Sequence, residues 1–215
     1  MARKSNRQTA MRARIAAAAA RIMAEDGIDD FALAKRKAAR QLGASDTQAL
    51  PANDEVEAEL RDYRALYQAD EHAQRIAELR RVALAAMRAL EPFHPYLTGP
   101  VLKGTAGPYA EIDLQLFPDS AKDVEIFLLD RKIAFDTHEA RRYSGEQAHA
   151  ASIISLLWEG LPLRLAVFDQ RAERFALKTT LAGTVADRAG LKEVSALLES
   201  DQAANVRQHR RSGRE

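Results

Sequence analysis

Two carboxylates separated by one residue are the feature of this 215-residue sequence that most strongly suggests chemistry. Glu111 and Asp113 belong to the segment AEIDLQLF (residues 110–117), in which polar and apolar side chains alternate. The alternation predicts a β-strand with one buried face, so both acids should point to the other face, about 7 Å apart. Paired carboxylates repel each other unless they share a cation or a proton. Their oxygens suit Mg²⁺ (or Mn²⁺), which proteins commonly bind through one or two carboxylates and the phosphates of a substrate.

A glycine-rich segment lies directly upstream of this predicted strand. Gly99, Gly104 and Gly107 occur within nine positions, together with Lys103. Glycines let backbone N–H groups approach a phosphate closely, and a helix that begins after Gly99 would direct its positive end toward that phosphate. A phosphate site beside paired carboxylates predicts nucleotide chemistry. The residues expected to bind the nucleotide are Gly99, Pro100, Lys103, Gly104 and Thr105.

The order of these residues resembles the signature of the polymerase-beta-like nucleotidyltransferase superfamily. The matching elements are the Gly99-Pro100 turn, Gly104 and the acid-apolar-acid strand Glu111-Ile112-Asp113. The resemblance covers residues 85–198 and implies a mixed sheet flanked by helices, with Glu111 and Asp113 as catalytic metal ligands. It also implies an enzyme that transfers a nucleoside monophosphate from a nucleoside triphosphate to an acceptor hydroxyl on RNA, a protein or a small metabolite.

The sequence departs from the family pattern at two positions. Pro100 occupies the place of the family's serine, so one hydrogen-bond donor to the triphosphate is missing. The third carboxylate of the family would lie on the predicted strand LPLRLAVFD (residues 161–169), where Arg164 occupies the central outward position. Candidates to replace that carboxylate are Asp169, Glu159 and Glu125. A second hypothesis is therefore a catalytically degenerate module that binds a nucleotide or RNA, with Arg164 neutralising the acids.

A third hypothesis, a helix-turn-helix DNA-binding regulator, comes from the N-terminal residues. Two predicted helices, residues 9–25 and a helix capped by Asp29 or Asp30 and ended by Gly43, resemble the start of tetracycline-repressor-like domains. The second helix contains a basic cluster, which is also typical of a solvated helix face. Residues 45–54 resemble a polar linker rather than a recognition helix. The basic cluster consists of Lys35, Arg36, Lys37 and Arg40.

The remaining patterns predict an α+β chain with a helical N-terminal region (residues 1–90), a nucleotidyltransferase-like domain (91–200) and a disordered tail (201–215). Apolar spacing predicts helices over residues 54–69, 70–90, 120–132 and 188–198. Strands are predicted over residues 96–98, 135–143, 151–158 and 161–169, the last two joined by a hairpin at Glu159-Gly160. His72 and His94 lack partners at metal-ligand spacing and are interpreted as surface or packing residues.

Composition excludes several classes of protein. The hydrophobic fraction of 47% and charged fraction of 29% are those of an ordinary globular protein, and the net charge of +1 gives no general attraction for nucleic acid. The absence of Cys excludes disulfides, zinc–thiolate sites and cysteine nucleophiles. No apolar run approaches the roughly 20 residues that span a bilayer. These observations favour a cytoplasmic location without a membrane partner.

Overall fold

A computed structural model of the chain describes residues 2–28, 30–44, 50–67, 69–144, 146–178 and 185–212. The chain divides into two units. The helical unit contains Met1–His72 and Gly104–Ala110, and the sheet unit contains Ala73–Lys103 and Glu111–Glu215. The boundary between the units therefore differs from the predicted domain boundary at residue 90. None of the described helices is long and apolar enough to cross a membrane.

Three helices form the core of the helical unit: α1 (Ala2–Asp26), α2 (Phe31–Gln41) and α3 (Asn53–Tyr67). Asp30 begins α2, because its Oδ1 accepts hydrogen bonds from Ala32 N at 2.7 Å and Leu33 N at 3.1 Å, as expected for an N-cap. Many of the buried residues are alanines, whose small side chains let helices approach closely. The buried side chains come from Ile15, Ala16, Ala19, Ala20, Ile22, Met23, Ala24, Ala34, Ala38, Ala39, Val56 and Leu60.

The sheet unit contains a five-stranded mixed sheet in the order β1-β2-β5-β4-β3. Its strands are β1 (Tyr96–Thr98), β2 (Ile112–Leu116), β3 (Phe135–Ser144), β4 (Gln147–Trp158) and β5 (Leu161–Val167). β2 and β5 are parallel, and every other neighbouring pair is antiparallel. The helices of this unit are α4 (Ala69–Ala89), which begins in the helical unit, α5 (Gly99–Lys103), α6 (Ala121–Asp130) and α7 (Leu191–Ser212).

Alternation along β2 and β5 gives the sheet one continuous apolar face. Ile112, Leu114 and Leu116 are in register with Leu163, Leu165 and Val167, and all six are buried. Residues between them, including Asp113, Gln115, Arg164 and Ala166, point to the other side, which is called the Asp113 face below. A second apolar cluster follows these strands and consists of Phe117, Ala151, Ile153, Phe168, Ala172 and Leu177.

Buried Arg80 connects three helices of the sheet unit. Its guanidinium donates to Val101 O and Leu102 O at the end of α5, at 3.1 and 2.7 Å, and to both carboxylate oxygens of Asp201 on α7. The acceptors at the end of α5 are carbonyls that lack partners inside a short helix. Arg80 thereby satisfies backbone groups immediately after the Gly99 turn.

The structure confirms the α+β prediction, with a mixed sheet, helices around it and a helical N-terminal region. β1 and the Glu159-Gly160 hairpin lie where the sequence predicts them. The final helix differs: it runs to Ser212, through residues assigned to a disordered tail, and residues 213–215 lie outside the described ones. Residues 200–212 are polar and carry no apolar helical pattern, but the helix gains a partner there through Asp201.

Replacing Leu165, which is fully buried on β5, by alanine should lower the free energy of unfolding by about 2–5 kcal/mol, the usual cost of a core cavity. The matched control is Leu157→Ala on β4, since Leu157 is 65% exposed. That control should change stability by no more than about 0.5 kcal/mol. Denaturant unfolding followed by circular dichroism measures both, and similar losses in the two variants would contradict the assignment of the buried face.

Candidate functional site

Asp113 and Arg164 lie next to each other on the parallel strands β2 and β5. The two residues are in register, so their side chains leave the sheet on the same face. Arg164 Nε lies 2.7 Å and Nη2 lies 2.6 Å from Asp113 Oδ1. The Asp113 side chain is only 17% exposed, whereas Arg164 is 45% exposed. This ion pair is the centre of the candidate site.

Glu111 precedes β2 and reaches the same guanidinium. Its Oε2 lies 3.5 Å from Arg164 Nη1, and its side chain is 46% exposed. The two carboxylates therefore share one face, as the alternation predicts, but the group between them is an arginine. Glu111 is bound more loosely than Asp113, because its contact exceeds ordinary hydrogen-bond length.

The Gly99 turn lies directly against Asp113. Gly99 has a φ of +71°, which favours glycine, and a Cβ atom built there would lie 2.7 Å from Asp113 Oδ2. Thr98 is the antiparallel partner of Asp113, and its Oγ1 donates to Asp113 O at 3.3 Å. The predicted proximity of the glycine turn and the acid strand is thus present.

The other predicted nucleotide-binding residues are distributed between the two units. Pro100 lies in the first turn of α5 and Lys103 ends that helix, both within the sheet unit. Gly104 and Thr105 belong to the helical unit. There Gly104 O lies 2.9 Å from His72 Nε2, and Thr105 O accepts a hydrogen bond from buried Arg64.

The two histidines take the packing and surface roles expected of them. His72 is half-buried, and burial lowers its pKa, which the hydrogen bond to Gly104 O opposes. His94 is exposed, with its Nδ1 3.5 Å from Glu173 Oε1. Neither histidine belongs to a metal-binding group in the part of the chain that the structure describes.

The three candidates for a third carboxylate have other positions or partners. Glu159 lies in the β4–β5 turn and pairs with Arg81 at 3.2 Å. Asp169 begins a 3₁₀ helix by accepting from Arg171 N at 2.9 Å. Glu125 lies on α6, as the sequence predicts.

The two acids of this site lie apart from any larger metal-binding group among the described residues. The described residues contain no group of three or more His, Cys, Asp or Glu side chains arranged to hold a metal ion. Asp113 Oδ1 is within hydrogen-bond distance of two guanidinium nitrogens. A guanidinium also stays charged at any physiological pH. Arg164 therefore supplies a positive charge next to both carboxylates.

A second arginine, Arg142 of β3, lies within electrostatic range of Asp113 and Arg164 and was not predicted as a site residue. Burial lowers the pKa of Arg142, and the charge of Arg164 lowers it further. Burial raises the pKa of Asp113 above its ordinary value of 3.8, which the charge and hydrogen bonds of Arg164 oppose. The sequence places Arg142 in a strand, but only the tertiary structure shows which acid it approaches.

The basic cluster of α2 is partly occupied by contacts inside the helical unit. Lys35 Nζ donates to Pro51 O and Asn53 Oδ1, and Lys37 pairs with Asp26 at 2.6 Å. The next helix, α3, has Asp54 and Glu55 in its first turn, where negative charge would repel DNA phosphates. Residues 45–49 of the predicted linker lie outside the described residues. These contacts give no support to a DNA-binding regulator.

Comparison with protein-family models, curated proteins and solved structures gives no match to this chain.

Gly99→Ala should destabilise the protein more than Gly160→Ala. Both glycines have positive φ, which costs an alanine about 1–2 kcal/mol, but only Gly99 lies against Asp113, while Gly160 has nothing within 4 Å of an added Cβ. Thermal or denaturant unfolding of the two variants isolates the contact with Asp113. Equal losses would contradict that contact.

The pKa of Asp113 should respond in opposite directions to its two charged neighbours. Arg164→Gln removes a favourable charge and should raise this pKa further, whereas Glu111→Gln removes a repulsive charge and should lower it. Carboxyl ¹³C NMR titration of Asp113 measures both shifts. Shifts of the same sign in the two variants would contradict the arrangement.

The raised pKa also sets how Asp113 affects stability. Because its folded-state pKa lies above the unfolded value near 3.8, the bound proton stabilises the native state below that value. This contribution is lost as the pH rises through the folded-state pKa. Asp113→Asn should remove that part of the pH dependence of the unfolding free energy.

Proposed function

We propose that the chain binds a nucleotide through its phosphates on the Asp113 face, without divalent metal and without transferring the nucleotidyl group. The observation that carries the proposal is the position of Arg164 between Glu111 and Asp113. In a metal-dependent transferase this position would be occupied by Mg²⁺, held by the carboxylates and the substrate phosphates. Here the neutralising charge belongs to the protein.

Arg142 supports a phosphate as the ligand. Arg142 and Arg164 are like charges near each other, and burial of Arg142 adds to the cost of its charge. A phosphate bound beside them would reduce their repulsion and accept hydrogen bonds from both guanidinium groups. Arg164 can take part because only its Nε and Nη2 lie at hydrogen-bond distance from Asp113, whereas its Nη1 lies 3.5 Å from Glu111.

The competing proposal is the magnesium-dependent nucleotidyltransferase that the sequence resembles. The contact between Gly99 and Asp113 favours it, because this reaction needs a glycine turn next to the acid strand. It requires Mg²⁺ to displace Arg164 from Asp113. Metal dependence therefore distinguishes the two proposals.

The test is calorimetric titration of the intact chain with each of the four ribonucleoside triphosphates, first in EDTA and then in MgCl₂ or MnCl₂. For each nucleotide we expect the same dissociation constant in EDTA, in MgCl₂ and in MnCl₂. Arg142→Gln should weaken binding about tenfold, the effect of one lost charge-assisted hydrogen bond. The matched control is Arg141→Gln, because Arg141 is the exposed neighbour on the same strand and points to the other face.

Other outcomes overturn the proposal. Binding that needs metal and disappears in Asp113→Ala would favour the transferase, and an absence of nucleotide binding under every condition would exclude both. A gain-of-function variant provides a further check: Arg164→Asp places a third carboxylate beside Glu111 and Asp113. This variant should bind Mn²⁺ more tightly than the unmodified chain, as measured by electron paramagnetic resonance.

A further inference from the structure

Two neighbouring hollows lie beside the 3₁₀ helix Gln170–Arg174, which follows β5 in the sheet unit. The larger has a volume of about 530 Å³, and its polar lining includes Gln147, His149, Asp169, Arg171 and Arg174. The smaller, of about 450 Å³, is also lined by Arg171 and Arg174. The larger volume falls in the range typical of small-molecule sites.

The acids near Arg171 and Arg174 have other partners. Asp169 accepts from the backbone N–H of Arg171, and Glu173 accepts from Tyr96 Oη at 2.8 Å. Among the described residues neither arginine side chain has an ion pair with a carboxylate. Two guanidinium groups therefore line the larger hollow together with Asp169, and neither has an ion pair within the part of the chain that the structure describes.

His149 contributes a buried donor or acceptor to the same hollow. Its Nε2 is inaccessible to solvent and has no hydrogen-bond partner within the described part of the chain. The ring packs against Phe175, with 5.2 Å between the ring centroids. A buried polar atom without a partner costs free energy, and a small rotation of the ring toward the hollow would let a ligand oxygen provide the missing hydrogen bond.

We infer that the larger hollow is a binding site for the phosphate group of a small phosphorylated molecule. Arg171 and Arg174 bind the phosphate oxygens, and His149 completes the set through Nε2. A phosphate offers more acceptor oxygens and more charge than a carboxylate, so it matches several converging donors better. The volume exceeds that of phosphate alone, and Phe175 gives the organic part of the molecule an apolar contact.

This inference is independent of the proposed function. Glu111, Asp113, Arg142 and Arg164 do not line either hollow. The sequence alone does not predict the site, because the segment QRAER after β5 is an ordinary polar stretch. Only the fold brings it beside His149 and Gln147 of β4.

The experiment titrates the intact chain with inorganic phosphate and with phenyl phosphate, followed by calorimetry and by the imidazole ¹⁵N resonances of His149. Both probes should shift the His149 Nε2 resonance, and phenyl phosphate should bind more tightly. The double variant Arg171→Gln/Arg174→Gln should bind at least about tenfold more weakly, since it loses charge-assisted hydrogen bonds. The double variant Arg36→Gln/Arg40→Gln changes the net charge equally on exposed residues of α2 and should bind as the unmodified chain does.

Two further variants separate this site from its alternatives. His149→Phe keeps a ring against Phe175 but removes Nε2, so it should weaken phosphate binding. Arg141→Gln, which removes a charge from the opposite face of β3, should leave binding of phenyl phosphate at this site unchanged. The proposal is overturned if the Arg171/Arg174 variant and the α2 control bind phosphate equally well. It is also overturned if these arginines affect binding of single-stranded RNA but not of either probe.

Discussion

The ion pair between Asp113 and Arg164 determines what the central sheet can do. It joins the only parallel pair of strands among those described, β2 and β5, at positions in register. An acid that is mostly buried needs a compensating charge, because desolvation penalises its ionised form. Arg164 provides that charge from within the fold. The charge of Asp113 is thereby balanced before any ligand arrives.

This arrangement changes the chemistry that the acids can perform. A metal ion exchanges its ligands and can bridge to a phosphate, whereas a guanidinium keeps fixed geometry and acts only as a hydrogen-bond donor. Under the proposed function, the same backbone framework, with a glycine turn against an acid strand, holds a phosphorylated ligand. Transfer would require the arginine to leave, and the ionised Asp113 would then lose two close donors.

Much of the local structure could be predicted from the sequence. Alternation placed β2 and put Glu111 and Asp113 on one face, and the Asp30 cap and the Glu159-Gly160 turn have local signals that do not depend on tertiary structure. Arg164 was recognised as the outward residue of its strand for the same reason. Strand order and register could not be predicted in this way, because they depend on contacts between segments that are distant in the sequence. The approach of Arg142 to Asp113, and of His149 to Arg171 and Arg174, therefore had no sequence signal.

The bonds of Arg80 give the C-terminal helix a role that its polar sequence conceals. Asp201 is the counter-ion of a guanidinium that is only 7% exposed, and the same guanidinium holds the end of α5. A chain shortened before Asp201 would leave the buried Arg80 guanidinium without its carboxylate. This change should destabilise the fold far more than removal of a terminal segment that makes no such contact. Asp201 thus helps, through Arg80, to hold the helix that follows the Gly99 turn.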